Sequence, residues 1–121
     1  MNPRKIGEVV CKNYDIPIES LNLPDRKLKH VEPCQVAHFF AYILTDLSEE
    51  KIGKSIGNKD HATVINSIKS VLNAFQTNRV YRTVIRYIGN DIMIESLKDI
   101  TPKLSMSTYP ERKAMYLNLA K

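Results

Sequence analysis

Apolar residues along this chain recur mainly at spacings of three and four, the period of one helix face. Ile6, Val9, Val10 and Tyr14 predict a first helix over about residues 3–14, ending before "DIPIES", where Pro17 removes a backbone donor. Residues 18–32, "IESLNLPDRKLKHVE", mix Pro24 with dense charge and read as a loop. Pro33 suits the first position of a second helix, about 33–47. Its stripe of Val36, Phe39, Phe40, Ile43, Leu44 and Leu47 is the clearest helical pattern present. Ser48 is a candidate N-cap for a short third helix, about 48–56, with Glu49 and Glu50 in the first turn and Ile52 and Ile56 inward. Gly57-Asn58, which tolerate positive φ, end it. Asp60 then caps a helix over about 60–75, with Val64, Ile65, Ile68, Val71, Leu72 and Phe75 predicted buried. A helix over 78–88 follows, broken at Gly89-Asn90, and residues 90–99 are candidates for one more. Strand alternation is weak throughout, so the expected fold class is all-α: a helical bundle containing a helix-turn-helix at Gly57.

Composition narrows the partners more than the fold. The length of 121 residues suits one domain over 1–100, with residues 101–121 as a C-terminal extension. Within that extension "ERKAMYLNLAK" is a candidate final helix, and its Tyr109, Met115, Tyr116 and Leu117 would pack on the core or dock a protein partner. A net charge of +5 favours a polyanionic partner. Two cysteines, Cys11 and Cys34, have no paired spacing, which argues against a disulfide scaffold or a zinc module. There is no apolar run of membrane-spanning length and no secretory signal pattern, so the expected location is cytoplasmic.

Two chemistries are suggested and set aside. Gly53-Lys54-Ser55 matches the end of a phosphate-binding loop, but the glycine that motif requires five residues earlier is Ser48. No nucleotide is therefore expected. His30, Cys34 and His38 recur every fourth residue, yet they supply only three ligands and His30 precedes the predicted helix, so no metal or other cofactor is expected. No Ser-His-Asp or Cys-His pairing has supporting context, and no enzyme activity is expected.

The helix after Gly57 offers a different chemistry. Its buried stripe leaves Lys59, Ala62, Thr63 and Asn66 facing away, with Asp60 and His61 at its start. The major groove of double-stranded DNA admits one helix, whose first residues reach base edges. Aspartate accepts from a cytosine amino group, histidine donates to a base acceptor, and an alanine methyl meets a thymine methyl. Lys59 and Thr63 suit phosphate oxygens. Arg79, Arg82 and Arg86 make a further basic stripe, either a solvated face or an extension of the same footprint.

Those residues also carry a resemblance. "IGKSIGNKDHATVINSI" is similar to the signature of the C-terminal DNA-binding domain of DnaA, the bacterial chromosomal replication initiator. The match lies in Ile52-Gly53, Gly57, Lys59, Asp60-His61 and Ala62-Thr63-Val64, extends back through Pro33 and Gln35 to "NYDIPIESL", and covers roughly residues 3–88. The resemblance implies that Asp60, His61 and Ala62 read bases in the major groove while Thr63 contacts phosphate. It places Arg26 in the adjacent minor groove, with Lys27 and Lys29 nearby, and Gln35 on the backbone beside the second helix. Departures are Glu32 and Cys34, where the family carries arginine, Ala62 for the first threonine, and Asn58-Lys59 for Gly-Arg. The expected function is sequence-specific binding of double-stranded DNA in replication initiation or its regulation, at the nucleoid. Because Met1 falls just before the first matching helix, the initiator's ATPase module is expected to be absent. The alternative on the same fold is a protein-interaction module, or a transcriptional or mobile-element regulator with altered DNA binding.

Overall fold

The computed structural model describes residues 2–23 and 28–98. Among them, α1 (Pro3–Tyr14), a short 3-10 turn (Ile18–Asn22), α2 (Leu28–Leu44), α3 (Glu49–Ser55), α4 (His61–Thr77) and α5 (Arg79–Lys98) follow in chain order, with no strand. The all-α expectation holds. α2 packs against both α1 and α4, α3 lies on α4, and α5 returns to touch α1. The core is built from the expected stripes: Ile6 and Val10, then Val36, Phe39, Phe40 and Ile43, then Ile52, Val64 and Val71, all buried.

The caps form where the sequence placed them. Ser48 Oγ accepts from the Lys51 N–H at 3.3 Å, and Asp60 Oδ1 accepts from the Thr63 N–H at 2.8 Å. Four boundaries differ from expectation. α2 ends at Leu44, three residues before the expected 47, and Leu47 packs against the core from the loop that follows. α2 begins at Leu28, so residues 28–32 are helix and Pro33 sits inside it. Near a helix start a proline forfeits only the bond to one carbonyl, here that of Lys29, while Leu28, Lys29 and Glu32 favour helix. Residues 18–22, expected as loop, form the 3-10 turn and bury Leu21. α5 runs through Gly89-Asn90 without a break. Ile85, Ile88 and Ile92 make a buried stripe across that glycine, and packing of this kind outweighs the roughly 1 kcal/mol helix penalty of one glycine. Asn13 Nδ2 donates to Asp91 Oδ2 at 3.0 Å and fastens α5 to α1.

Two further expectations are corrected by burial. Ile65, predicted as core, is 37% exposed because Val64, Ile68, Val71 and Phe75 complete the inward stripe without it. The basic stripe on α5 is partly structural: Arg82 donates from Nε to the Phe75 carbonyl at 2.9 Å and from a terminal nitrogen to that of Gln76 at 3.2 Å. Its guanidinium and that of Arg86 lie 5.6 and 5.8 Å from the centre of the Phe75 ring. Arg82 thus satisfies carbonyls left open at the end of α4. The expected final helix in "ERKAMYLNLAK", with Tyr109, Met115, Tyr116 and Leu117, lies outside the described residues.

His38 locks the centre. One of the three residues set aside as metal ligands, it is fully buried. Its Nε2 lies 2.9 Å from the Ile56 carbonyl, which can only accept, so Nε2 carries the proton. Nδ1 lies 2.9 Å from Ser67 Oγ, which is equally close to the Thr63 carbonyl, so one hydroxyl proton serves two acceptors. One imidazole therefore ties α2 to the helix-turn-helix turn and to α4, and neither nitrogen is left to hold a metal. Burial, the largest cause, pushes the His38 pKa below its usual range despite the Ile56 bond, and the nearby Lys59 charge pushes the same way. The unfolded chain then binds a proton that the folded one does not. Stability contributed by neutral His38 is complete above about pH 6.5 and declines as pH falls from there toward the depressed folded pKa. We expect urea midpoints to drop over this window with a slope of up to one proton, and the His38→Asn variant to lack that component.

Candidate nucleic-acid interface

The geometry begins at Gly53, on α3. A Cβ built there would lie 2.2 Å from the Lys59 carbonyl oxygen and 3.1 Å from Val64 Cγ2. No side chain of any size fits, because the backbone of the turn crosses directly over α3. The Lys59 N–H donates to the Gly53 carbonyl at 2.8 Å, which fixes that crossing. Gly57 follows at φ 80° and Asn58 at φ 52°, two left-handed residues in succession. Such a reversal suits Gly and Asn, and it turns the chain from α3 into α4. Lys54, of the Gly-Lys-Ser triplet, pairs with Glu50 at 3.2 Å on the exposed side of α3.

At the tip of α4, Asp60, His61, Ala62 and Thr63 are all exposed, as is Asn66 one turn on. The side-chain and backbone hydrogen bonds from Thr63 hold the Asp60 carboxyl below its usual range. An ionised carboxylate has about four acceptor positions, so capping the helix leaves capacity for a second donor. The Thr63 and Val64 N–H groups go to the Asp60 carboxylate and carbonyl. Those of His61 and Ala62 precede the first intrahelical bond and add to the positive end of the helix dipole.

Lys59 is positioned differently from a free surface cation. Its ammonium donates to the Leu23 carbonyl at 3.2 Å and so ties the turn to the chain entering the Pro24–Lys27 segment. An ammonium has three donors, so this bond still leaves two. A cleft of about 430 Å³ opens beside it, lined by Leu23, His30, Gln35, Lys59, Thr63 and Asn66 among others. Gln35, Thr63 and Asn66, three of the predicted contacts, therefore share one surface with Lys59. Arg26 and Lys27, and the side chain of Lys29, lie outside the described residues.

Of the departures from the expected pattern, Ala62 and Lys59 lie on this surface, Cys34 lines the buried side of the cleft, and Glu32 lies away from it. Glu32 faces Tyr14 and Tyr81 rather than the cleft: burial first, and the Glu32 carboxylate second, hold both phenols protonated. The Tyr14 hydroxyl is buried without a well-formed hydrogen bond, so the nearby carboxylate is an electrostatic neighbour rather than a firm partner. Cys34 is buried under the turn, 3.1 Å from where a Gly57 Cβ would stand. Burial pushes its thiol up to about 11 against a smaller opposing effect of Lys59. The Glu32 carboxylate is not among the groups lining the cleft, and the Cys34 thiol there is neutral.

The sequence missed two features of the same face. Ile65 is exposed between Ala62 and Lys69, and Lys69 and Asn73 continue that face along α4. Their spacings from Ala62, three, seven and eleven, were available as a signal once Ile65 was removed from the core. The necessity of Gly53 was not, since close approach of two segments leaves no local trace.

Comparison with known proteins places this geometry. The family model described as the bacterial dnaA protein helix-turn-helix matches residues 3–71, more than half of the chain. Chromosomal replication initiator proteins DnaA are similar to it: that of Bacteroides thetaiotaomicron is 37% identical over 83 residues, 69% of this chain and 18% of the relative. That of Bacteroides fragilis is 40% identical over 83 residues, 69% of this chain and 17% of the relative. The Spiroplasma citri protein is 32% identical over 92 residues, 76% of this chain and 20% of the relative. The matched segment thus spans a fifth or less of each of these proteins.

Proposed function

The chain belongs to the bacterial DnaA helix-turn-helix family, and we propose that it binds double-stranded DNA in a sequence-dependent way, in replication initiation or its regulation. The observation that carries this reading is the exposure of Asp60, His61, Ala62 and Thr63 together at the positive end of α4. In it α4 enters the major groove, where Asp60 accepts from a cytosine amino group and His61 donates to a base acceptor. Thr63, Asn66 and Gln35 approach phosphate oxygens from the cleft, with Lys59 beside them. Arg26 enters the neighbouring minor groove, where an arginine senses groove width and A·T content. The tie from Lys59 to Leu23 supports this arrangement, because it fixes the distance between the major-groove helix and the start of the basic segment. The net charge of +5 has the sign that a phosphate backbone requires.

Ionic strength tests the backbone half of the reading. Affinity is expected to fall with salt by about 0.9 log units per log unit of salt for each neutralised phosphate. Lys27→Ala is expected to weaken all duplexes alike and to flatten that slope by about one. An unchanged slope, or a loss confined to one duplex, would remove Lys27 from the backbone contacts. A salt-insensitive affinity would favour the protein-interaction reading.

A further inference from the structure

The core does not explain Ile65. α4 buries Val64, Ser67, Ile68, Val71 and Phe75, a complete inward face. Ile65 lies beside that stripe, 37% exposed, and it is the large aliphatic side chain that α4 shows to solvent among the described residues. Its neighbours on this face are Ala62, Asn66 and Lys69, all exposed. The exposed part of a branched aliphatic gains nothing in the free protein, and isoleucine is a poorer helix former than leucine or lysine. Singly exposed aliphatics are ordinary on protein surfaces; what sets Ile65 apart is its place on the face of α4 that also carries His61 and Ala62.

Resting on the DNA-binding reading above, we infer that Ile65 is a specificity-determining residue that packs against the 5-methyl group of a pyrimidine, that of thymine, in the major groove. The argument is one of chemistry and register. Among the groups that base pairs display there, the pyrimidine 5-methyl is the apolar one; the rest are hydrogen-bond donors and acceptors. Ile65 stands four residues after His61, on the same side of the helix, which is about 6 Å further along its axis. With base pairs spaced about 3.4 Å apart, the methyl lies within two base pairs of the base that His61 reads. Ala62, three residues before Ile65, sets a small methyl beside it, so the two form one apolar strip flanked by Asp60 and His61 on one side and Lys69 on the other. The strip selects a methylated pyrimidine where the polar residues alone would accept any base with a matching edge.

The test deletes the methyl from the DNA and the side chain from the protein. Wild-type, Ile65→Val and Ile65→Ala proteins are titrated against the preferred duplex, and against versions in which each thymine in turn becomes uracil. In a parallel arm single cytosines become 5-methylcytosine. For the wild type, uracil at one or two positions within two base pairs of the His61 contact is expected to weaken binding about fourfold each, the factor for one buried methyl-sized group. Ile65→Val keeps most of that penalty and Ile65→Ala abolishes it. Each comparison uses one protein on two duplexes, so a loss of folded Ile65→Ala cancels. A gain on 5-methylcytosine that requires Ile65, with flat responses to uracil, would retain the methyl contact but overturn thymine as its source. Equal uracil penalties in wild type and Ile65→Ala, or none in either arm, would overturn the inference. Were that to happen on a duplex still weakened by His61→Ala, DNA binding itself would stand.

Discussion

Gly53→Ala is expected to be among the most damaging single-methyl additions this protein can receive. The new Cβ would stand 2.2 Å from the Lys59 carbonyl oxygen and 3.0 Å from its carbon. Both atoms are backbone, so no side-chain rotation relieves the clash. The crossing of turn over α3 must open, which breaks the Lys59-to-Gly53 hydrogen bond at 2.8 Å and pulls Val64 out of register with the core. Overpacking against mobile side chains typically costs 1–3 kcal/mol; against backbone we expect more than about 3 kcal/mol. Gly7→Ala is the matched control. Its Cβ would meet only Ile18 Cδ1 at 3.6 Å and Leu21 Cδ1 at 3.7 Å, ordinary contacts, and alanine suits a helix interior better by up to about 1 kcal/mol. Urea denaturation of the two variants should therefore shift the midpoint in opposite directions. Equal midpoints would show that the turn does not rest on Gly53 as described.

His61→Ala is expected to leave the fold intact and to damage recognition. His61 is exposed at the first position of α4, and surface substitutions of this kind usually change stability by less than about 0.5 kcal/mol. On the preferred duplex the lost base contact is expected to cost about 1–3 kcal/mol, roughly 5- to 150-fold in affinity. On random DNA the loss should be small, because backbone contacts carry no sequence information. The ratio of the two affinities is the quantity to measure, by titration at one fixed salt concentration. Equal losses on both duplexes would remove His61 from base reading and leave it a role on the backbone.

How much of this was legible in the chain depends on whether the determining interaction is local. The stripes of α2 and α4, the Ser48 and Asp60 caps and the Gly57-Asn58 turn are all local, and the structure places them where periodicity and turn chemistry predicted. Pro33 misled because a proline suits a helix start, while the five helix-compatible residues before it were read as loop on account of their charge. Gly89 misled for the converse reason: its local penalty is outweighed by the packing of Ile88 and Ile92, which no local rule sees. At the candidate interface the residue types at the tip of α4 were legible, and they are exposed as required. What surrounds them was not. The bond from Lys59 to Leu23, the burial of His38 beneath the turn and the inward turn of Glu32 are contacts between segments distant in sequence. Ile65 falls between the cases. Its apolar character placed it in the core, and only the completeness of the inward stripe without it moved it to the surface.

Selection from a pool of random duplexes, followed by sequencing of the bound fraction, tests the central claim most directly. The account predicts one enriched site of contiguous base pairs, containing a cytosine or its complement where Asp60 docks, and losing its distinctness when His61→Ala is used. A bound fraction with the same base composition as the starting pool would contradict it, and would leave this helix-turn-helix as a surface for protein rather than for DNA.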